Sequence, residues 1–227
     1  RGVRRHEQGV MSKVALVTGN DTGVGKTHVS AFLAKRLSLV GPVRYVKVVE
    51  TGIEDATDSD ACEIESMAGE VIEKTVVLHS FRAALAPQTA AALEGMELSL
   101  HQLILETRQA LGPAWTIVEG AGGLAVPLES SGKDWLDFAL NLPVDAMALV
   151  VENRLGTINQ TRLLESYCNE LPMPCGYWLN EVRPQKKEVI YANEEAMGMS
   201  EIPVWATQRH GEKPKYMDLT WIDGGMP

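Results

Sequence analysis

Residues 19–27 read GNDTGVGKT, set between the apolar run VALVT (residues 14–18) and the helix-like VSAFLAKRL (residues 29–37). The ending Gly25-Lys26-Thr27 is that of a phosphate-binding loop. The strict form of that loop has a glycine five residues before Gly25, where this chain carries Asn20. The glycine stands one place earlier, at Gly19, so the loop is one residue longer. Its span from Asn20 through Asp21, Thr22, Gly23 and Val24 to Gly25 leaves successive backbone N–H groups free to meet phosphate oxygens, and the helix that follows adds its positive end. In that setting Lys26 lies against the β- and γ-phosphates and the Thr27 hydroxyl ligates Mg²⁺. The bland alternative, a glycine turn before a helix, is disfavoured by the strand–loop–helix context.

Outward from the loop, strand and helix patterns alternate. KVALVT (13–18) and VRYVKVV (43–49) read as strands, with a helix from Thr27 to about Leu39 between them. A polar loop, EDATDSD, leads into a helix through Ile64 and Met67. TVVLHS is a further strand, followed by a turn at Pro87 and a short helix, and residues 99–111 are helical. WTIVEG (115–120) is a strand opening into a glycine-rich turn. DWLDFALNL is a helix, DAMALVVE a strand, NQTRLLESYCNEL a helix and CGYWLN a strand. A last short strand lies around Ile202 to Trp205, and periodicity fades beyond Thr207. Short β-branched runs between helices of about ten residues imply an α/β fold, a single-domain, doubly wound, mostly parallel sheet with helices on both faces, like that of phosphate-loop nucleotide hydrolases. Ligands of such sheets lie at the carboxyl ends of the strands, where the glycine-rich and charged segments of this chain also fall.

With 45% hydrophobic and 22% charged residues, the 227-residue chain has the composition of one globular domain. A net charge of −9 repels nucleic-acid backbones and anionic lipid, so any bound anion must be held by local groups. No apolar stretch approaches the ~20 residues of a membrane-spanning helix. The odd set Cys62, Cys168 and Cys175 has no CxxC spacing and reads as free thiols in a reducing cytoplasm. Residues 1–10, RGVRRHEQGV, read as an expression remnant or disordered leader, with residues 11–227 as one phosphate-loop α/β domain and Met11 as its natural start.

Three further side chains have chemistry in prospect. Glu119 ends an apolar strand before Gly120, Gly122 and Gly123, the place where enzymes of this type put a magnesium-binding acid close to phosphate. Lys47 lies near the carboxyl end of its strand. It reads either as a solvated strand end or as a second cation that offsets charge on a migrating phosphoryl group. Asp60 is either one acid of a solvated turn or a further magnesium ligand.

Taken together, GNDTGVGKT, KVVETG, the SDA at 59–61, APQTAA and VEGAGGLAVPL resemble the dethiobiotin synthetase family, over about Lys13 to Trp205. The resemblance implies an ATP-dependent cyclo-ligase of biotin biosynthesis, acting on 7,8-diaminononanoate and CO₂ or bicarbonate through a carbamate and a carbamic-phosphoric anhydride. It implies Lys26 and Lys47 as the lysines that hold phosphate and carbamate, and Thr27, Asp60 and Glu119 as the Mg²⁺ ligands. Thr22 and Thr51 match hydroxyls beside the diamine and its carbamate. Asn180 matches the residue that reads the nucleotide base, with Pro203 and Val204 lining the same pocket. Leu155, Gly156 and Asn159 belong to a segment similar to the family's LGxIN, which in a homodimer binds the carboxylate tail of the partner's substrate. The chain departs from the family at Val48, Gly23 and Asn20. A partitioning-type ATPase switch is the rival reading, but its signature lysine at the start of the loop is here Asp21.

Overall fold

A computed structural model of the chain describes residues 12–168 and 171–222, so the expected leader lies outside the described residues. Eight strands form one sheet in the order β3-β2-β4-β1-β5-β6-β7-β8. The central strand β1 (Lys13–Gly19) is apolar and buried along almost its whole length, as a strand covered on both faces must be. It pairs in parallel with β4 (Trp115–Glu119) on one side and β5 (Ala146–Glu152) on the other. Beyond β4 lie β2 (Val43–Thr51) and the edge strand β3 (Ile72–Phe81). Beyond β5 come β6 (Cys175–Asn180), β7 (Val204–Gln208) and the short antiparallel β8 (Lys215–Tyr216).

Helices α1 (Lys26–Leu37) and α2 (Asp60–Ala68) cover one face, where Val29, Leu33 and Ile64 meet Tyr45, Ile117 and Ala148. The other face takes α3 (Pro87–Leu93), α4 (Leu100–Ala110), α5 (Trp135–Asn141), α6 (Thr157–Tyr167) and α7 (Lys187–Met197). There Ala90, Leu103, Phe138, Leu164 and Met197 enclose Leu16, Val48 and Leu149. This is the doubly wound arrangement expected from the sequence. Because all strands but β8 run the same way, the ends of β1, β2 and β4 open together at one edge.

The structure corrects several boundaries. The first helix stops at Leu37, and Leu39 and Val40 beyond it are exposed. Pro87 is the first residue of α3 rather than a turn before it, a position where its missing N–H costs nothing. The last parallel strand runs from Val204 to Gln208, shifted three residues at its far end from the expected Ile202–Trp205. Helix α7 has no counterpart among the sequence expectations.

Candidate active site

The phosphate loop leaves β1 at Gly19 and enters α1 at Lys26. Two glycines set its path. Gly25 has φ 88°, a left-handed conformation open to glycine at little cost, and a Cβ there would collide with the Asn180 amide nitrogen. Gly123, from the turn after β4, approaches so closely that a Cβ would stand 2.8 Å from the Asn20 carbonyl oxygen. The loop is thereby pressed between the ends of β4 and β6. Lys26 folds back over it, and its ammonium donates to the carbonyls of Asp21 at 2.9 Å and Gly122 at 2.8 Å.

Lys47 and Glu119 are direct neighbours across β2 and β4, and both side chains are buried. The Lys47 ammonium donates to Glu119 Oε1 at 2.8 Å and to the Gly120 carbonyl at 3.0 Å, and lies 2.5 Å from Asp60 Oδ2. The Thr27 hydroxyl lies 2.9 Å from Glu119 Oε1 and 3.2 Å from Asp60 Oδ1, its single proton shared between the two carboxylates. With Lys47 only 2% exposed, the solvated-strand-end reading is excluded. Asp60 likewise is not one acid of a solvated turn, since it is ion-paired inside the site.

The electrostatics follow from this crowding. Burial, then repulsion from Lys47, lowers Lys26 to about 8. Burial also pulls the Lys47 ammonium down, but Glu119 and Asp60 outweigh it and the net direction is upward. Burial raises Tyr45 well above its ordinary range, helped by the nearby Glu119 charge. Glu63 is raised by its own partial burial and then by Asp60 and Glu119.

A cavity of about 600 Å³ opens over these groups. Thr22, Gly23, Gly25, Lys26 and Thr27 line one side; Lys47, Thr51, Asp60, Glu119 and Gly122 line the rest. Residues from four separate chain segments thus meet in one place. The Thr27 hydroxyl and the carboxylates of Asp60 and Glu119 form a hard-oxygen set that fits Mg²⁺ or a similar divalent ion. Among the described residues no three His, Cys, Asp or Glu side chains converge, so two carboxylates and a hydroxyl are the donors in question. Gly23 leaves open space where a side chain would stand, and Val48 is wholly buried in the core.

Other expected residues fall elsewhere. Asn20 is tied by its amide to Gln160 Oε1 of α6 at 2.7 Å, Asp21 accepts from the Thr22 N–H, and Val24 is buried with its carbonyl accepting from Asn180 at 2.8 Å. Gly120 is packed against the Trp135 ring. Pro203 and Val204 do not share a pocket with Asn180. They stand where β7 begins, at the amino edge of the sheet, whereas Asn180 ends β6 and pairs with Gln208. Pro203 lines a separate groove with Trp115, Trp205 and Trp221. Leu155, Gly156 and Asn159 surround the start of α6, outside this cavity, and Leu155 is 80% exposed.

Sequence reasoning missed Ser30, whose buried hydroxyl donates to Glu119 Oε2 at 2.6 Å. A serine four residues after Lys26 on a helix, sharing its face with the loop lysine, was the available signal. It also missed Gln208, whose amide nitrogen stands 2.8 Å from His28 Nε2, next to Asn180. Burial lowers the pKa of that histidine.

Fold and site together define a phosphate-loop enzyme built to hold a nucleoside triphosphate, and residues 13–204 match the family described as an AAA domain. The chain belongs to the ATP-dependent dethiobiotin synthetase family. It is 40% identical to the ATP-dependent dethiobiotin synthetase BioD of Mycobacterium avium over 153 residues, 66% of each chain. It is 37% identical to that of Anaeromyxobacter dehalogenans over 175 residues, 74% of this chain and 77% of the relative. A plasmid partition protein from Borrelia burgdorferi is similar in fold, with TM-score 0.55 and 12% identity over 94% of both chains. At that identity the likeness concerns the fold alone, and it does not favour the switch reading.

Proposed function

We propose that this chain makes dethiobiotin from 7,8-diaminononanoate, CO₂ or bicarbonate and ATP. The observation that carries the reading is the meeting of Lys26, Lys47, Thr27, Asp60 and Glu119 around one cavity above the phosphate loop, in a member of this family. One substrate amine adds to CO₂, forming an N–C bond and losing a proton, which gives a carbamate. A carbamate oxygen attacks the γ-phosphorus, and the bond from that phosphorus to the ADP oxygen breaks. The second amine then attacks the carbamate carbon and expels phosphate together with the oxygen that had joined carbon to phosphorus.

The chain's own residues serve by position and charge. The Lys26 and Lys47 ammonium groups offset the negative charge that moves with the phosphoryl group, and need not act as nucleophiles. Thr22 and Thr51 offer hydroxyls to the diamine and its carbamate on the cavity wall. Asn180, whose amide donates to the Val24 carbonyl at the loop, would read the nucleotide base. Thr27, Asp60 and Glu119 would hold Mg²⁺, which when bound neutralises phosphate charge.

The assembly is proposed as a cytoplasmic homodimer in which Leu155, Gly156 and Asn159 serve the partner's substrate carboxylate. The exposed apolar residues of the α6 region, Leu155, Ile158, Leu163 and Tyr167, support a buried role for that face. Three free cysteines suit a reducing compartment. No helix among the described residues is long and apolar enough to cross a membrane.

The test is ADP release with ATP, magnesium, bicarbonate and the diamine, omitting each in turn. Release that depends on every component is expected. Equal release without the diamine would remove this reading and leave a nucleotide hydrolase.

A further inference from the structure

Glu50, the second-last residue of β2, is a buried carboxylate that none of the roles above uses. It is 4% exposed, and among the described residues no lysine, arginine or histidine pairs with it. A buried charge without a counter-ion is costly unless other donors hold it. The donors to Glu50 all come from one place, the start of α2. Ser59 Oγ lies 3.1 Å from Oε1 and 2.9 Å from Oε2, and the Asp60 N–H donates to Oε2 at 3.2 Å. Ser59 is also the N-cap of that helix, its hydroxyl accepting from the Ala61 N–H at 3.1 Å. A negative group here also meets the positive end of the helix dipole.

The consequence falls on Asp60. Its backbone is pinned by Glu50, and its side chain reaches Lys47 at 2.5 Å and Thr27 at 3.2 Å. Residues 54–58 before it are exposed. The loop itself is fastened to the sheet by the Ile53 N–H, which donates to the Phe81 carbonyl at 3.1 Å. We propose that Glu50 is a positioning residue, which fixes the Asp60 carboxylate where it can serve a divalent ion beside Lys47 and Thr27. This rests on the phosphoryl-transfer reading of the site, in which Asp60 is a metal ligand.

The experiment compares wild type, E50Q, E50A, D60N, E50A/D60N and E50Q/D60N in the full chain. Mn²⁺ binding to the ADP-loaded protein is titrated by electron paramagnetic resonance, and ADP affinity is measured separately in EDTA. E50A should weaken Mn²⁺ binding about tenfold, as loss of an outer-shell partner does elsewhere. E50Q, which keeps the shape and one acceptor oxygen, should fall between the two, and ADP affinity in EDTA should not move. In the D60N background E50A should add nothing, because the two act in series. Wild-type Mn²⁺ affinity in both Glu50 variants would overturn the proposal. So would an undiminished E50A effect on top of D60N. If E50A does not fold, the same-shaped E50Q and its D60N combination carry the comparison. Failure of the ring-closure reading would show separately, as ADP release in wild type that ignores the diamine.

Discussion

Lys47 and Glu119 sit side by side on parallel strands, and the ammonium donates to the carboxylate at 2.8 Å with both groups out of water. The same ammonium is ion-paired with Asp60. Removing it leaves two carboxylates, one of them fully buried, facing each other without their cation. Lys47→Ala should therefore cost about 3 kcal/mol of stability, as breaking a buried pair does. For a chain of this size that is a fall of about 9 °C in Tm, and turnover should vanish as well. Saturating magnesium with ADP should narrow the gap, because a divalent ion restores positive charge between the acids. Thermal melts with and without that pair check this. An unchanged Tm without ligand would contradict the role given to the pair.

Ser30 completes the hydrogen bonding of Glu119 from beneath, at Oε2. Ser30→Ala takes away a donor to a buried charge, which costs about 2 kcal/mol and about 6 °C in Tm. Turnover should fall because Glu119 is free to turn away from Thr27. Melting and initial-rate measurements read both effects, and a variant that matches wild type in Tm would show that the serine is dispensable.

Gly25 is fixed by conformation and by contact at once. Gly25→Ala adds a Cβ at φ 88°, against the Asn180 amide that caps the Val24 carbonyl. The loop must shift to admit it, and nucleotide affinity should drop at least about tenfold, the equivalent of ~1.4 kcal/mol, a modest sum of strain and lost contacts. Calorimetric titration with ADP measures this directly. Wild-type affinity would mean that the loop does not hold phosphate in the conformation seen.

Lys26 sets a pH dependence. Burial, then the neighbouring Lys47, lowers its ammonium to about 8. The protonated form attracts phosphate, so the binding-competent population is full at neutral pH and is lost as pH rises through about 8. Bound phosphate in turn favours the charged form. ADP binding at pH 9 without divalent ion should therefore take up protons from solvent, and binding at pH 7 should take up almost none. Calorimetry in buffers of different ionisation enthalpy separates the two. Equal uptake at both pH values would exclude Lys26 as the group that responds.

Much of this architecture was legible because the physics is local. An apolar strand, small loop residues and a following helix declare GNDTGVGKT whatever surrounds them, and VEGAGG does the same at the end of β4. Lys47 was ambiguous because a lone charge in a strand looks alike whether it faces water or a buried acid. Only the register of β2 against β4 decides that. Pro203 and Val204 were set beside Asn180 by the family resemblance alone, and the last strand was ended at Trp205. Its pattern fades at Thr207, yet pairing with β6 carries it to Gln208, and the carboxyl edge moves with it. Helix α7 escaped notice because Lys186 gives no side-chain cap and its buried stripe of Ile190, Asn193 and Met197 contains an amide. That Asn193 amide is satisfied far along the chain, by Asn153 Oδ1 and the Arg154 carbonyl, each at 2.8 Å. Ser30 and Glu50 were hidden for the same reason, since their partners are distant in sequence or on another element.

The path of a single oxygen atom tests the centre of the account, that a carboxyl oxygen derived from CO₂ receives the terminal phosphoryl group beside Lys26 and Lys47. Prompt turnover with ¹⁸O-labelled bicarbonate, ATP and the diamine, followed by mass analysis of the inorganic phosphate, reads it directly. One labelled oxygen in each phosphate is the predicted result. Phosphate carrying only oxygens from ATP and solvent water would contradict it.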